Sequence, residues 1–154
     1  MRTIAAFLVV VLAPGLALPG SAPSFDAALR AHFAAIKSRD LEAFIATVTD
    51  EDEMTLIFPN GDILTTREAV IDLHRDWFAD PRWTWEPEVV ATTVGVDLAY
   101  ALVRYTYADE AAPRQNWLSL VFRLEVGVWR LVRDQNTPAP PEAATAPADR
   151  DIAR

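Results

Sequence analysis

The sequence predicts an α+β domain, a curved antiparallel sheet wrapped around three N-terminal helices. Two observations carry this. Apolar residues recur at helical spacing in three stretches before Pro81, and they alternate at period two after it. Helices followed by a strand meander place the helices on one face of a single sheet.

Ser24 is the expected cap of a first helix over Phe25 to Lys37, with Phe25, Leu29, Phe33 and Ile36 on one stripe and His32 at its edge. Asp40 caps a second, shorter helix whose apolar face is Leu41, Phe44, Ile45 and Val48. The acidic run Asp50 to Glu53 lacks the spaced ligands and glycine turn of a calcium loop and reads as a solvated connection. Met54 to Phe58 is a short strand, "PNGD" is a turn, and Ile63-Leu64 pairs back. Thr65 and Glu68 form a capping box for a third helix over Arg67 to Ala79. Its apolar arc holds Val70, Ile71, Leu73, Trp77 and Phe78, with His74 near the middle. Asp80-Pro81 ends that helix.

Four long strands follow, over Trp83–Val94, Leu98–Ala108, Asn116–Val126 and Val128–Asn136. Pro87 removes a ladder donor, so the first of them is expected at an edge or with a bulge.

The two ends read differently from this body. Residues 1–22 combine Arg2, an apolar run from Ile4 to Leu18 and the small residues Gly20-Ser21-Ala22, the pattern of a signal peptide. The expectation is an exported protein, periplasmic or secreted. The apolar run is short for a membrane span, and no membrane association is expected after cleavage. Residues 138–154 are Pro/Ala-rich and expected to be disordered. The domain itself spans residues 23–137.

The formal net charge of −8 disfavours nucleic acid and anionic membrane as partners. The chain has no cysteine, so disulfides, thiolate zinc sites and cysteine nucleophiles are excluded. Its two histidines sit on different helices without metal-ligand spacing, and no metal is expected. Its five glycines form no phosphate-binding loop, and no cofactor is expected.

Four segments, in order, carry a resemblance: "IKSRDLEAFIATV", "LIFPNGDILTTREAVIDLHRDWF", "DLAYALVRYT" and "GVWRLVRDQNTP". Helix, helix, short hairpin, capped helix and four long strands resemble the SnoaL-like branch of the nuclear transport factor 2-like superfamily. The resemblance implies a cone-shaped, cystatin-like roll, open at one end. It also implies homodimers through the outer sheet face. Its members include steroid isomerases, polyketide cyclases, epoxide hydrolases, dehydratases and non-catalytic binding or assembly domains, so the fold does not choose a function. Many relatives end the last strand with His-x-His-x-Ser; the matching positions here are Arg133, Gln135 and Thr137. Glutamine cannot move a proton near neutral pH. Arginine stays charged and suits an anion or a carbonyl oxygen.

His74 is the leading catalytic candidate, as a general base if it faces a cavity and as a satisfied core histidine otherwise. Arg133 and Gln135 share parity with Trp129 and Leu131, which assigns them to the buried face as a cavity wall; Asp134 and Asn136 fall on the other face. Asp134 is a second catalytic candidate, with Arg133 or Arg104 as its ion-pair partner. Tyr105 and Tyr107 share a face with Ala99, Ala101 and Val103, and with Trp77 they are ligand-binding candidates. Trp83, Trp85, Trp117 and Trp129 read mainly as core or dimer interface, with lining a cavity or stacking sugars as the other reading, and His32 reads as a helix-flank residue. The functional expectation is an unknown small molecule held in an apolar cavity, with no assignable reaction. The alternatives are a proton-transfer enzyme of isomerase, cyclase or hydratase type using His74 or Asp134, and a dimerisation or assembly module.

Overall fold

The computed structural model describes residues 24–140. The expected signal peptide, and the tail beyond residue 140, lie outside the described residues. The chain runs α1 (Phe25–Ser38), α2 (Leu41–Ile45), β1 (Glu53–Ile57), β2 (Ile63–Thr66), α3 (Arg67–Ala79), β3 (Thr84–Val94), β4 (Leu98–Ala108), β5 (Arg114–Glu125) and β6 (Val128–Pro138).

Side-chain caps start α1 and α2 where the sequence places them. Ser24 accepts from the Ala27 amide and Asp40 from the Ala43 amide. At α3 the cap is Thr66, which accepts from the Ala69 amide, and not Thr65 as the capping-box spacing suggests. Helix α1 ends on Arg39 in the left-handed region (φ 56°), with the cap amide bonded back to the last turn. Helix α2 is shorter than its apolar pattern. Val48 leaves the helix and bridges to Leu131 in the sheet instead.

The six strands form one sheet in the order β2-β1-β6-β5-β4-β3. Strands β3 to β6 are an antiparallel meander, as expected. The β1–β6 pair is parallel, which corrects the expectation of a wholly antiparallel sheet. Helix α3 carries the chain from β2 at one edge to β3 at the other, and β1 is left beside the last strand, running with it. Pro87 sits in the edge strand β3, which also carries an irregularity between Val89 and Ala91.

The core lies between the helices and the concave face. Phe44, Val48, Val70, Val103, Leu120, Phe122 and Leu131 are almost wholly excluded from solvent. Each such side chain contributes on the order of 1.5–3 kcal/mol through burial. The buried stripe of α1 is Phe25, Leu29, His32 and Ile36, with Phe33 only partly buried. His32 is therefore a core residue, not a flank residue. Its burial is tolerated because Nδ1 lies 2.8 Å from Thr47 Oγ1. Trp83, Trp85 and Trp129 are buried, while Trp117 is half-buried on the convex face.

Strands β5 and β6 extend further than alternation predicts, starting at Arg114 and ending at Pro138, where Asn116 pairs with Pro138. Both extensions lie at the same end of the sheet. They lengthen the wall around the hollow described next.

Candidate functional site

A cavity of about 440 Å³ lies between α3 and the concave face of the sheet. Leu56, Leu73, Trp85 and Leu118 make much of its wall apolar. Helix α3 presents His74 and Trp77 to it; β4 presents Tyr105 and Tyr107; β5 presents Asn116; β6 presents Asp134 and Asn136.

The α3 wall is held from behind. Trp77 stacks on Trp83 with ring centroids 4.2 Å apart, and the Arg39 guanidinium lies 4.1 Å over the Trp83 ring. Trp83 Nε1–H donates to the Trp77 carbonyl at 2.8 Å. At the mouth, Arg114 pairs with Asp109 at 2.7 Å and lies 5.2 Å from the Tyr107 ring centroid.

His74 is buried and stacks on Phe44 at 3.9 Å. Its Nδ1 is 2.7 Å from the Val70 carbonyl, which only accepts, so Nδ1 carries the hydrogen and Nε2 is left as an acceptor. Burial lowers its pKa to about 4, against a smaller opposing effect of the Val70 carbonyl. Near neutral pH His74 is thus an uncharged acceptor and a weak base.

Asp134 stands on the opposite wall. Its carboxylate accepts from Asn136 Nδ2 at 2.7 Å. Burial pushes its pKa up to about 7, with the Asn136 hydrogen bond opposing. The expected arginine partners are elsewhere: Arg104 pairs with Glu88 at 2.6 Å, and Arg133 is exposed on the other face. Asn136 ties the site together, since Tyr105 Oη–H donates to its Oδ1 at 2.8 Å and its Nδ2 also donates to the Ile57 carbonyl at 3.1 Å. Burial, and next the nearby Asp134 charge, push the Tyr105 pKa well up, so its hydroxyl stays a donor.

The face assignment of the last strand is corrected. Arg133 and Gln135 are exposed and do not line the cavity; Asp134 and Asn136 do. Phe122 lies opposite Leu131, yet the adjacent Val121 lies opposite Arg133, so Val132 is an extra residue in β6. This bulge reverses the parity after Leu131. Arg133 instead borders a polar surface groove with Glu51, Asp52, Glu53 and Arg123.

Among the sequence candidates, the structure brings together His74, Trp77, Tyr105, Tyr107 and Asp134 around one cavity. His32 lies outside it. Burial, and next the charge of His74, lower the His32 pKa to about 3.

Residues 26–138 match the SnoaL-like domain family. The chain belongs to that family. Comparison with curated proteins finds no match. Among solved structures, the SnoaL-like domain resembles a Thiobacillus denitrificans protein named for a calcium/calmodulin-dependent protein kinase type II association domain. Identity is 29%, coverage 77% of this chain and 97% of that one, and the TM-score 0.67. A protein of the nuclear transport factor 2-like family from Streptomyces avermitilis, named for a dehydratase, is 16% identical over 74% and 92% of the two chains, with a TM-score of 0.64. A ketosteroid isomerase-like protein from Erwinia carotovora atroseptica is 19% identical over 80% and 100%, with a TM-score of 0.63. The last two likenesses concern the fold alone.

Among the polar residues that line the SnoaL-like site, sequence reasoning missed Asp76, Arg114, Asn116 and Asn136. Asn116 had a usable signal, because it shares parity with the buried Leu118, Leu120 and Phe122. Asn136 had none, since its face depends on the bulge at Val132.

Proposed function

We propose that the SnoaL-like cavity binds a small, largely apolar molecule carrying one oxygen function. The observation that supports this is an apolar hollow of about 440 Å³ with its few polar groups gathered on facing walls. The test is titration with naphthalene and 2-naphthol, followed by tryptophan fluorescence and melting temperature. Trp77 lines the cavity, so binding there alters emission, and it raises the melting temperature by mass action. Unchanged emission and melting with both compounds refutes the reading.

A second reading, proton transfer of the isomerase or hydratase type, is favoured by Asp134. Its pKa of about 7 lets it both take and return a proton near neutral pH. His74 and Tyr105 line the same cavity as Asp134, with the His74 Nε2 acceptor and the Tyr105 hydroxyl among its polar groups. In this reading the Asp134 carboxylate removes a proton from carbon beside a carbonyl and then returns it. The test is exchange of the α-hydrogens of 2-tetralone in D2O. Wild type accelerates exchange with a pH inflection near 7, and Asp134→Asn does not. Equal rates for both proteins rule out this use of Asp134.

The same proposal includes export and a homodimer through the convex sheet face. Half-buried Tyr100, Leu102, Trp117 and Val132 support the second. Monomeric sedimentation removes the dimer from the proposal.

A further inference from the structure

Asn116 stands apart from the other polar residues of the cavity. The residue is 7% exposed and lines the hollow. Its backbone pairs with Tyr105 on one side and Pro138 on the other. Asn136 uses its carboxamide for bonds to Asp134, Ile57 and Tyr105. The Asn116 carboxamide has no hydrogen-bond partner among the described residues. Buried amides are nearly always paired. An amide aimed into a cavity without a protein partner is therefore placed to be paired by what enters.

We propose that Asn116 is the residue that reads the ligand, and that it takes a neutral edge with a donor beside an acceptor: a lactam, a carboxamide or an undissociated carboxylic acid. The inference rests on the binding reading above and names its ligand class. A side-chain amide offers N–H donors and a carbonyl acceptor in one plane. A ketone or ether answers only the donors. An ammonium answers only the acceptor. A carboxylate answers only the donors, and brings a negative charge into a cavity that already holds Asp134. The neutral donor–acceptor edge satisfies both halves.

The test uses the full chain and three probes of similar size: 2-quinolinone, 1-methyl-2-quinolinone and naphthalene. The first has the lactam N–H and C=O, the second lacks the N–H, and the third lacks both. Wild type binds 2-quinolinone about tenfold or more tighter than its N-methyl form, as expected for one buried hydrogen bond lost with a group left unpaired. In Asn116→Leu that preference falls to near unity, while naphthalene binds at least as well as to wild type. The wild-type comparison stands by itself if the variant does not fold. Equal affinity of wild type for the two quinolinones overturns the proposal, and so does a preference retained in Asn116→Leu. Naphthalene binding without lactam preference overturns this proposal alone, leaving a cavity whose amide is met by water. Failure of all three probes to bind overturns the binding reading as well.

Discussion

The Asn136 carboxamide donates to Asp134 from 2.7 Å, and among the described residues it is the one group hydrogen-bonded to that carboxylate. A hydrogen bond to the charged form favours it, so Asn136 opposes the effect of burial. Asn136→Leu is expected to raise the Asp134 pKa further above about 7. It also strips a partner from the Ile57 carbonyl and the Tyr105 hydroxyl, at a cost on the order of 2–4 kcal/mol. Carbon NMR titration of the Asp134 carboxyl checks the first effect and urea unfolding the second. A lowered pKa contradicts the assignment of roles.

Stability is expected to fall as pH drops from about 6.5 to 4.5. His32 and His74 have folded pKa values lowered from 6.5 to about 3 and about 4. The unfolded chain takes up both protons near pH 6.5 and the folded one does not, so stability is lost on acidification. Asp134 acts in the opposite sense. Its folded pKa is raised from 3.8 to about 7, so the folded state takes up a proton first and gains. Each proton is worth about 1.4 kcal/mol per pH unit. Two histidines against one aspartate leave a net loss, and Asp134→Asn is expected to steepen it. Urea midpoints of both proteins between pH 7.5 and 4.5 measure the slopes. Parallel slopes contradict the raised pKa.

The reversal of faces after Leu131 is testable because the chain has no cysteine. Single substitutions Arg133→Cys and Gln135→Cys are expected to react rapidly with a thiol reagent. Asp134→Cys is expected to react slowly, because position 134 is buried and 133 and 135 are exposed. Fast labelling at 134 with protection at 133 and 135 restores simple alternation.

Val126 holds a positive φ of 47° in the β5–β6 turn, followed by Gly127 at 81°. Both central residues of this two-residue hairpin are left-handed, the geometry that asparagine-glycine prefers. A fully exposed β-branched residue there carries strain with no packing to offset it. Val126→Asn is expected to stabilise the protein by about 1 kcal/mol, read as a raised melting temperature. Unchanged or lowered stability argues against the left-handed turn.

The amino-acid sequence by itself determined the elements. Ser24 and Asp40 mark helix starts through side chains that reach only three residues ahead. Alternation from Trp83 onward marks the strands, and the spacing of Val70, His74 and Phe78 puts His74 on the inner face of α3. These signals are local, and a few neighbouring residues contain them. Tertiary structure decided what required a distant partner. It set β1 parallel to β6, drew His32 into the core beside Thr47, and turned Asp134 inward in place of Arg133. One extra residue, Val132, separates the two readings of the last strand. A bulge exists only relative to the strand opposite, so no pattern within β6 announces it. The carboxyl that faces the cavity was visible as a residue; the side on which it stands is a property of the sheet.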